Sequence, residues 1–157
     1  MKKPFASWAL AAVAFVLAPR VLNAQCQRGN ATLHGTYVVS GTGTVVGGGP
    51  LTAVGLHTWD GHGNTNATYT ASVNGNIFTG VTVTGSYSVN PDCTGSLAES
   101  DGSHYNFVVS PDGNNLTWIR TDAGTVVSGT EARLKNRGED NARESLRGKG
   151  GAQGLRD

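Results

Sequence analysis

The residues best suited to chemistry lie close together, in the stretch HTWDGHGN at positions 57–64. His57, Asp60 and His62 are residue types that bind metals or move protons. The stretch is also typical of a tight turn, because Asp60-Gly61 favours a hairpin and Asp side chains bond to nearby backbone amides. Turn chemistry explains every residue except the histidines, and His57 lies three positions back along a predicted strand. We therefore expect a turn and no metal site, with His57 as a weak catalytic candidate.

Two further ionisable residues alternate in step with apolar ones. Glu99 shares the parity of Leu97, and Arg120 shares that of Trp118. If both point inward, they form a buried ion pair, or a ligand carboxylate takes the place of Glu99 opposite Arg120. Alternatively both lie at strand ends and face water, the usual place for charged side chains.

Sequence motifs of established enzymes are missing. The chain has no Gly-x-Ser-x-Gly, phosphate loop or paired-carboxylate pattern. Glu99 is a weak candidate for a catalytic acid if it is buried, because burial raises a carboxyl pKa. Should Glu99 be exposed, the remaining proton donors are His57 and His104. The sequence leaves open whether the protein is an enzyme, and it indicates no cofactor.

The two ends of the chain differ from its middle. Residues 1–24 have Lys2 and Lys3 followed by a short apolar core, the layout of a secretory signal peptide cleaved after Ala24, and the core is too short to span a membrane comfortably. Residues 135–157 hold six basic and four acidic residues and only two leucines. Such a segment buries too little apolar surface to fold, so we expect a disordered charged tail. The protein is thus predicted to be exported, to the periplasm or the extracellular space, without a membrane span.

The region between these ends, residues 25–134, forms one predicted domain. It carries three basic and seven acidic residues, a net charge of −4. Nucleic-acid binding needs clustered Lys and Arg, so this class of partner is not expected. The only cysteines are Cys26 and Cys93, and outside the cytoplasm their default state is one disulfide.

Apolar and hydroxyl residues alternate throughout this domain, which is typical of β-strands. In residues 81–89, VTVTGSYSV, one face is apolar or aromatic and the other is all hydroxyl. Turn signals such as Gly47-Gly48-Gly49-Pro50 and Asn74-Gly75 divide the domain at short intervals. They predict eight strands, near residues 33–41, 51–59, 65–74, 77–89, 94–100, 104–110, 115–121 and 125–134.

Short links between these strands predict antiparallel pairing of sequence neighbours. Eight strands in simple succession can close on themselves and leave no exposed edge, so we expect an all-β, up-and-down β-barrel. An open sandwich of two sheets is the alternative. Alternation predicts the following inward residues: Tyr37, Val39, Val54, Leu56, Tyr69, Val83, Tyr87, Leu97, Tyr105, Phe107, Leu116 and Trp118.

Four stretches carry a resemblance to a known group of proteins: GTY (35–37), WDGHGN (59–64), TGSYSVNPDCTGS (84–96) and TDAGTVVSGT (121–130). In this order they resemble small exported bacterial proteins of uncharacterised function. Those proteins look like the allene oxide cyclase barrel, a calycin-like, eight-stranded fold that is also similar to plant dirigent proteins. The resemblance implies a barrel with a precedent for apolar ligands and for isomerase or cyclase chemistry. It implies no active-site residue.

Three functions follow from this fold. The first is a secreted barrel that binds one small hydrophobic or amphipathic ligand through Tyr37, Tyr69, Tyr87, Tyr105, Phe107, Trp118 and Arg120. The second is an allene-oxide-cyclase-like isomerase or cyclase. The third is a filled barrel that acts through its outer surface as an envelope module, and it requires that the interior contain no cavity.

Overall fold

The computed structural model describes residues 26–135, and its regular structure is almost entirely β. A 3₁₀ helix, Gly29–Thr32, precedes eight strands. The strands are β1 (His34–Val45), β2 (Gly49–Asp60), β3 (Asn64–Val73), β4 (Asn76–Val89), β5 (Thr94–Glu99), β6 (His104–Val109), β7 (Asn115–Arg120) and β8 (Thr125–Arg133). The predicted strands are all present. The glycine-rich loop is shorter than expected, because β1 continues to Val45 and Gly49 already pairs with it.

The strands form a closed barrel in which each pairs antiparallel with its sequence neighbours, and β1 also pairs with β8. The register of the closing pair runs from Tyr37 opposite Arg133 to Val45 opposite Thr125. Closure satisfies the backbone groups of both edge strands, so no open edge remains. The predicted up-and-down barrel is confirmed, and the alternative of a two-sheet sandwich is wrong.

One end of the barrel is closed by the segment that precedes β1. We call residues 26–33 the plug. Leu33 at its end is completely buried, and Cys26 is 2% exposed. The amide of Val89 donates to Asn30 Oδ1 at 2.9 Å, which fixes the plug to the end of β4. The apolar residues packed against this plug make one core. The half of the barrel next to the plug, which we call the lower half, is therefore filled.

A disulfide joins the plug to the turn between β4 and β5. Cys26 and Cys93 are bonded, with their Cα atoms 5.0 Å apart, as predicted. The amide of Cys26 also donates to the carbonyl of Pro91 at 3.1 Å. The plug is therefore held both covalently and by backbone hydrogen bonds.

A β-bulge interrupts the alternation near the other end of the barrel. The β3–β4 register shifts between Tyr69 and Ala71, and Gly80 has a φ of 65°. A left-handed glycine is the usual way to place an extra residue in one strand. Beyond the bulge the parity of β4 is reversed, and Phe78 rather than Ile77 lines the interior.

The predicted signal peptide (1–24) and, apart from Lys135, the predicted charged tail (135–157) lie outside the described residues. No helix among residues 26–135 is long and apolar enough to cross a bilayer.

Candidate functional site

The upper half of the barrel, opposite the plug, contains a cavity of about 320 Å³. Small side chains such as Ala53, Ala67 and Ala71 leave room for it on β2 and β3. Most of its lining is aliphatic or aromatic. The larger apolar and aromatic lining residues are Val39, Leu51, Trp59, Tyr69, Val73, Phe78, Val81, Leu97, Tyr105, Phe107, Leu116, Trp118 and Val127. Its volume and lining are typical of small-molecule sites.

Five of the seven predicted ligand-binding residues line this cavity. They are Tyr69, Tyr105, Phe107, Trp118 and Arg120. The rings of Tyr105 and Trp118 meet edge to face, with centroids 5.3 Å apart. Burial raises the pKa of both the Tyr69 and Tyr105 hydroxyls, so these groups remain protonated donors at neutral pH.

Tyr37 and Tyr87 are inward-facing but do not line the cavity. They lie beneath it in the packed core. The Tyr37 hydroxyl donates to the carbonyl of Gly113, and the Tyr87 hydroxyl contacts the carbonyls of Asn30 and Leu33 at 3.0 and 2.9 Å. Burial raises the pKa of Tyr87 to about 12. The plug segment and the β6–β7 turn occupy both hydroxyls in this structure, and the assignment of the two tyrosines to a ligand site stays a prediction.

The predicted parity of β2 is wrong. Val54 and Leu56 are 57% and 49% exposed on the outer face. The inward residues of this part of the strand are Gly55, His57 and Trp59. Apolar side chains on the outer face and a histidine on the inner face reverse the usual rule for choosing the core face. His57, predicted only as a weak catalytic candidate, is therefore an interior residue.

His57 forms a buried pair with a residue that the sequence did not single out. His57 Nδ1 lies 2.9 Å from Glu131 Oε1, and the two side chains are 4% and 3% exposed. The indole N–H of Trp59 donates to the second oxygen of the same carboxyl, at 3.0 Å. An indole N–H can only donate, so Oε2 is an acceptor, and as a carboxylate Glu131 also accepts at Oε1. We assign the ring proton of His57 to Nδ1 on this basis.

The other ring nitrogen, His57 Nε2, is buried and has no hydrogen-bond partner among residues 26–135. The Nε1 donor of Trp118 is in the same state. Both side chains line the cavity. Buried polar atoms are nearly always paired with protein, water or ligand. These two atoms are thus free to bind a molecule that occupies the cavity.

Charged groups gather at the mouth. Glu99 lines the cavity, and burial raises the pKa of its carboxyl; the nearby His57 opposes this rise. Arg120 lines it too, but its Nε donates to Asp122 Oδ2 at 2.7 Å rather than to Glu99. His104 Nδ1 lies 2.8 Å from the other oxygen of Asp122. The Glu99–Arg120 pair, one of the two alternatives for these residues, is not formed, and Arg120 belongs instead to an Arg120–Asp122–His104 cluster.

The cluster His57, Asp60 and His62 does not converge. Asp60 Oδ1 accepts the backbone amides of His62, Gly63 and Asn64 at 2.7, 3.0 and 2.9 Å. Hydrogen bonds, first from the Asn64 side chain, lower the pKa of Asp60 to about 2. His62 is exposed in the turn, while His57 is inside the barrel. No group of three His, Cys, Asp or Glu side chains within residues 26–135 is placed to hold a metal ion.

No protein-family model matches the chain, and no match was found among curated proteins. Three solved structures of designed barrels are similar to it. A de novo designed fluorescence-activating β-barrel is 15% identical, with 66% of this chain and 94% of that one covered and a TM-score of 0.43. The redesigned barrels mFAP1 and mFAP0, both bound to DFHBI, are each 19% identical; they cover 68% and 65% of this chain and 99% of their own, with TM-scores of 0.45 and 0.42.

Sequence reasoning missed Glu131 and Trp59 as site residues. The signal for Glu131 was available, because it shares the parity of the inward Val127 and Gly129 in β8. Together with His57 they form a polar floor under an otherwise apolar cavity. Chemically, this arrangement can enclose an apolar molecule and offer it one oriented imidazole nitrogen.

Proposed function

We propose that the protein is a binding barrel that holds one small, mainly apolar molecule in the upper half of its interior. The observation that carries this proposal is the aromatic-lined cavity of about 320 Å³ above a filled lower half. Its aromatic lining includes Tyr69, Tyr105, Phe107 and Trp118. The filled-barrel envelope module requires an interior without a cavity, whereas the upper half of this barrel contains one.

The proposal is tested by direct binding. The uncharged apolar dye N-phenyl-1-naphthylamine is titrated into the protein, and its emission should rise to saturation at one dye per barrel. Ala53 lines the cavity, so Ala53→Phe should fill it and raise the dissociation constant about tenfold or more, equal to about 1.4 kcal/mol. Thr52→Phe adds the same ring to the outer face and is the matched control. Equal binding by both variants and the original protein would place the dye elsewhere and sink the proposal.

A second candidate function is an allene-oxide-cyclase-like isomerase or cyclase. The buried His57–Glu131 pair favours it, because a carboxylate that orients an imidazole is a common arrangement for proton transfer. Glu99, whose pKa is raised by burial, is a second proton-carrying group in the same cavity. Any ligand found by dye displacement should then be incubated with the protein in D₂O. Deuterium incorporated into its carbon skeleton, or a change in its bonding, would indicate catalysis, and a ligand recovered unlabelled and chemically unchanged would indicate binding alone.

We further infer that the protein works outside the cytoplasm. The Cys26–Cys93 disulfide supports this, because such bonds persist in oxidising compartments. The full chain expressed in a Gram-negative bacterium should be recovered from the periplasm or the medium with Gln25 as its first residue. A cytoplasmic product that retains Met1 would contradict the inference.

A further inference from the structure

The strongest unexplained feature of the molecule is the free nitrogen of His57. The residue is 3% exposed, and its Nε2 has no hydrogen-bond partner in the part of the chain that the structure describes. Leaving a buried polar nitrogen unpaired is costly, and such atoms usually mark a place where something else binds. Because His57 lines the cavity, the missing partner belongs to the cavity's occupant.

The chemistry of this nitrogen is set by its neighbours. Glu131 takes the Nδ1 proton at 2.9 Å and is itself held by Trp59 at 3.0 Å. The ring of His57 also lies against that of Trp59, with centroids 4.3 Å apart. The imidazole is therefore fixed in orientation. In its neutral form it presents the lone pair of Nε2, an acceptor that calls for a donor on the ligand.

Charge limits what this donor can be. The ionisable side chains that line the cavity include three acidic ones, Glu131, Glu99 and Asp101. Against them stands Arg120, which is already bound to Asp122. A carboxylate on the ligand would meet three acidic side chains and a single cation whose Nε is already paired with Asp122, so an uncharged donor is favoured.

The body of the ligand is set by the rest of the lining. Tyr69, Tyr105, Phe107 and Trp118 present ring faces or edges to the cavity, and aromatic rings pack well against one another edge to face or offset. Glycines at positions 41 and 129 bring the wall close to Trp118, whose Cη2 would lie 2.4 Å from a Cβ at Gly41. Aromatic walls of this kind favour an aromatic body on the ligand.

We propose that the cavity binds uncharged phenols, with the aromatic body against the ring-lined walls and the hydroxyl donating its hydrogen to His57 Nε2. This inference rests on the proposed binding function and names the class of its ligand. It also assigns a role to Glu131, which positions the imidazole through Oε1.

A matched series of compounds tests the proposal on the unmodified protein. 4-Propylphenol, 4-propylanisole and 4-propylbenzoate share one apolar body and differ only in the polar end. Displacement of N-phenyl-1-naphthylamine should require about tenfold less phenol than anisole, because the ether has no hydrogen to donate. The benzoate should be the weakest of the three.

A pair of variants then tests whether His57 causes the preference for phenol over anisole. His57→Phe removes the acceptor, so the phenol and the anisole should displace the dye at concentrations within about twofold of each other. His62→Phe makes the same substitution in the exposed turn and should retain the tenfold preference. If His57→Phe does not fold, the three-compound series on the original protein still decides the matter.

The outcomes separate the two proposals. Failure of the dye and all three compounds to bind would overturn both. Equal binding of phenol and anisole by the original protein would overturn the phenol assignment and leave the binding barrel standing. Preferred binding of the benzoate would also overturn it, because it would show that His57 donates from Nε2 to an anion.

Discussion

At the residue scale, the site depends on one carboxyl group whose two oxygens are both paired with protein side chains. Glu131 holds His57 on one oxygen and Trp59 on the other, and all three are buried. Removing the carboxyl leaves the His57 and Trp59 donors buried without a partner, which costs about 1–3 kcal/mol for each donor, or about 2–6 kcal/mol together. Glu131→Ala should therefore lower the free energy of unfolding by about that amount, measured as a shift in the urea midpoint.

A milder substitution changes the chemistry and keeps the shape. In Glu131→Gln the amide group can donate to His57 Nδ1, which would move the ring proton to Nε2 and convert that atom into a donor. In NMR spectra, Nε2 should then show the ¹⁵N chemical shift of a protonated ring nitrogen, and Nδ1 should show that of an unprotonated one. The preference for phenol over anisole should fall toward equality. Unchanged ring shifts together with an unchanged preference would show that Glu131 does not set the tautomer.

Glu99 gives the molecule a dependence on pH. Its pKa is raised from its ordinary value of 4.5, chiefly by burial. The folded state therefore binds a proton more tightly than the unfolded state, so this group contributes stability below about pH 4.5 that is lost as the pH rises through the folded pKa. Glu99→Gln should melt at a higher temperature than the original protein at pH 8 and at the same temperature at pH 4. A higher melting temperature of the original protein at pH 8 would contradict this sign.

At the element scale, alternation predicted most of the fold and much of the lining. It identified the eight strands and placed Val83, Leu97, Phe107 and Leu116 inside, where all four are buried. It failed in the middle of β2, where Val54 and Leu56 face outward and His57 faces inward. It made no prediction of the bulge at Gly80, because one extra residue reverses parity and leaves no mark in a hydropathy pattern.

The height of each inward residue along the barrel axis could not be predicted in the same way. Parity states that Tyr37 and Tyr87 face inward, and they do. Whether an inward residue meets a cavity or the plug depends on its height along the barrel axis, which follows from long-range register. The sequence therefore predicted the interior better than it predicted the site.

Inward glycines decide where the walls come together. A Cβ at Gly129 would lie 2.1 Å from the carbonyl oxygen of Ser40 and 2.4 Å from Cζ2 of Trp118. Gly129→Ala should therefore displace the indole or push β8 away from β1, at a cost of about 1–3 kcal/mol as for other overpacked cores. Ser128→Ala, on the outer face of the same strand, should change stability by less than about 0.5 kcal/mol. Urea denaturation of the two variants measures both, and equal midpoints would show that the strands yield without strain.

At the scale of the whole molecule, the two halves of the barrel along its axis differ in packing and in role. The lower half is plugged and packed, and the upper half is kept open by alanines and lined by rings. The polar floor formed by His57, Trp59 and Glu131 lies where the two halves meet. Stability and binding are thus supplied by different parts of one continuous sheet, which is why the two can be perturbed separately.

The disulfide offers the clearest separation of this kind. It joins residues 67 positions apart, and closing a loop of that length stabilises the folded protein by roughly 4 kcal/mol through the unfolded state. The double variant Cys26→Ser/Cys93→Ser should lose about 2–5 kcal/mol of unfolding free energy. The cavity lies in the opposite half, so the folded fraction should bind N-phenyl-1-naphthylamine as tightly as before. An unchanged urea midpoint would show that the plug is held by its hydrogen bonds and packing alone. A large loss of dye affinity in the folded variant would show that the plug also shapes the cavity floor.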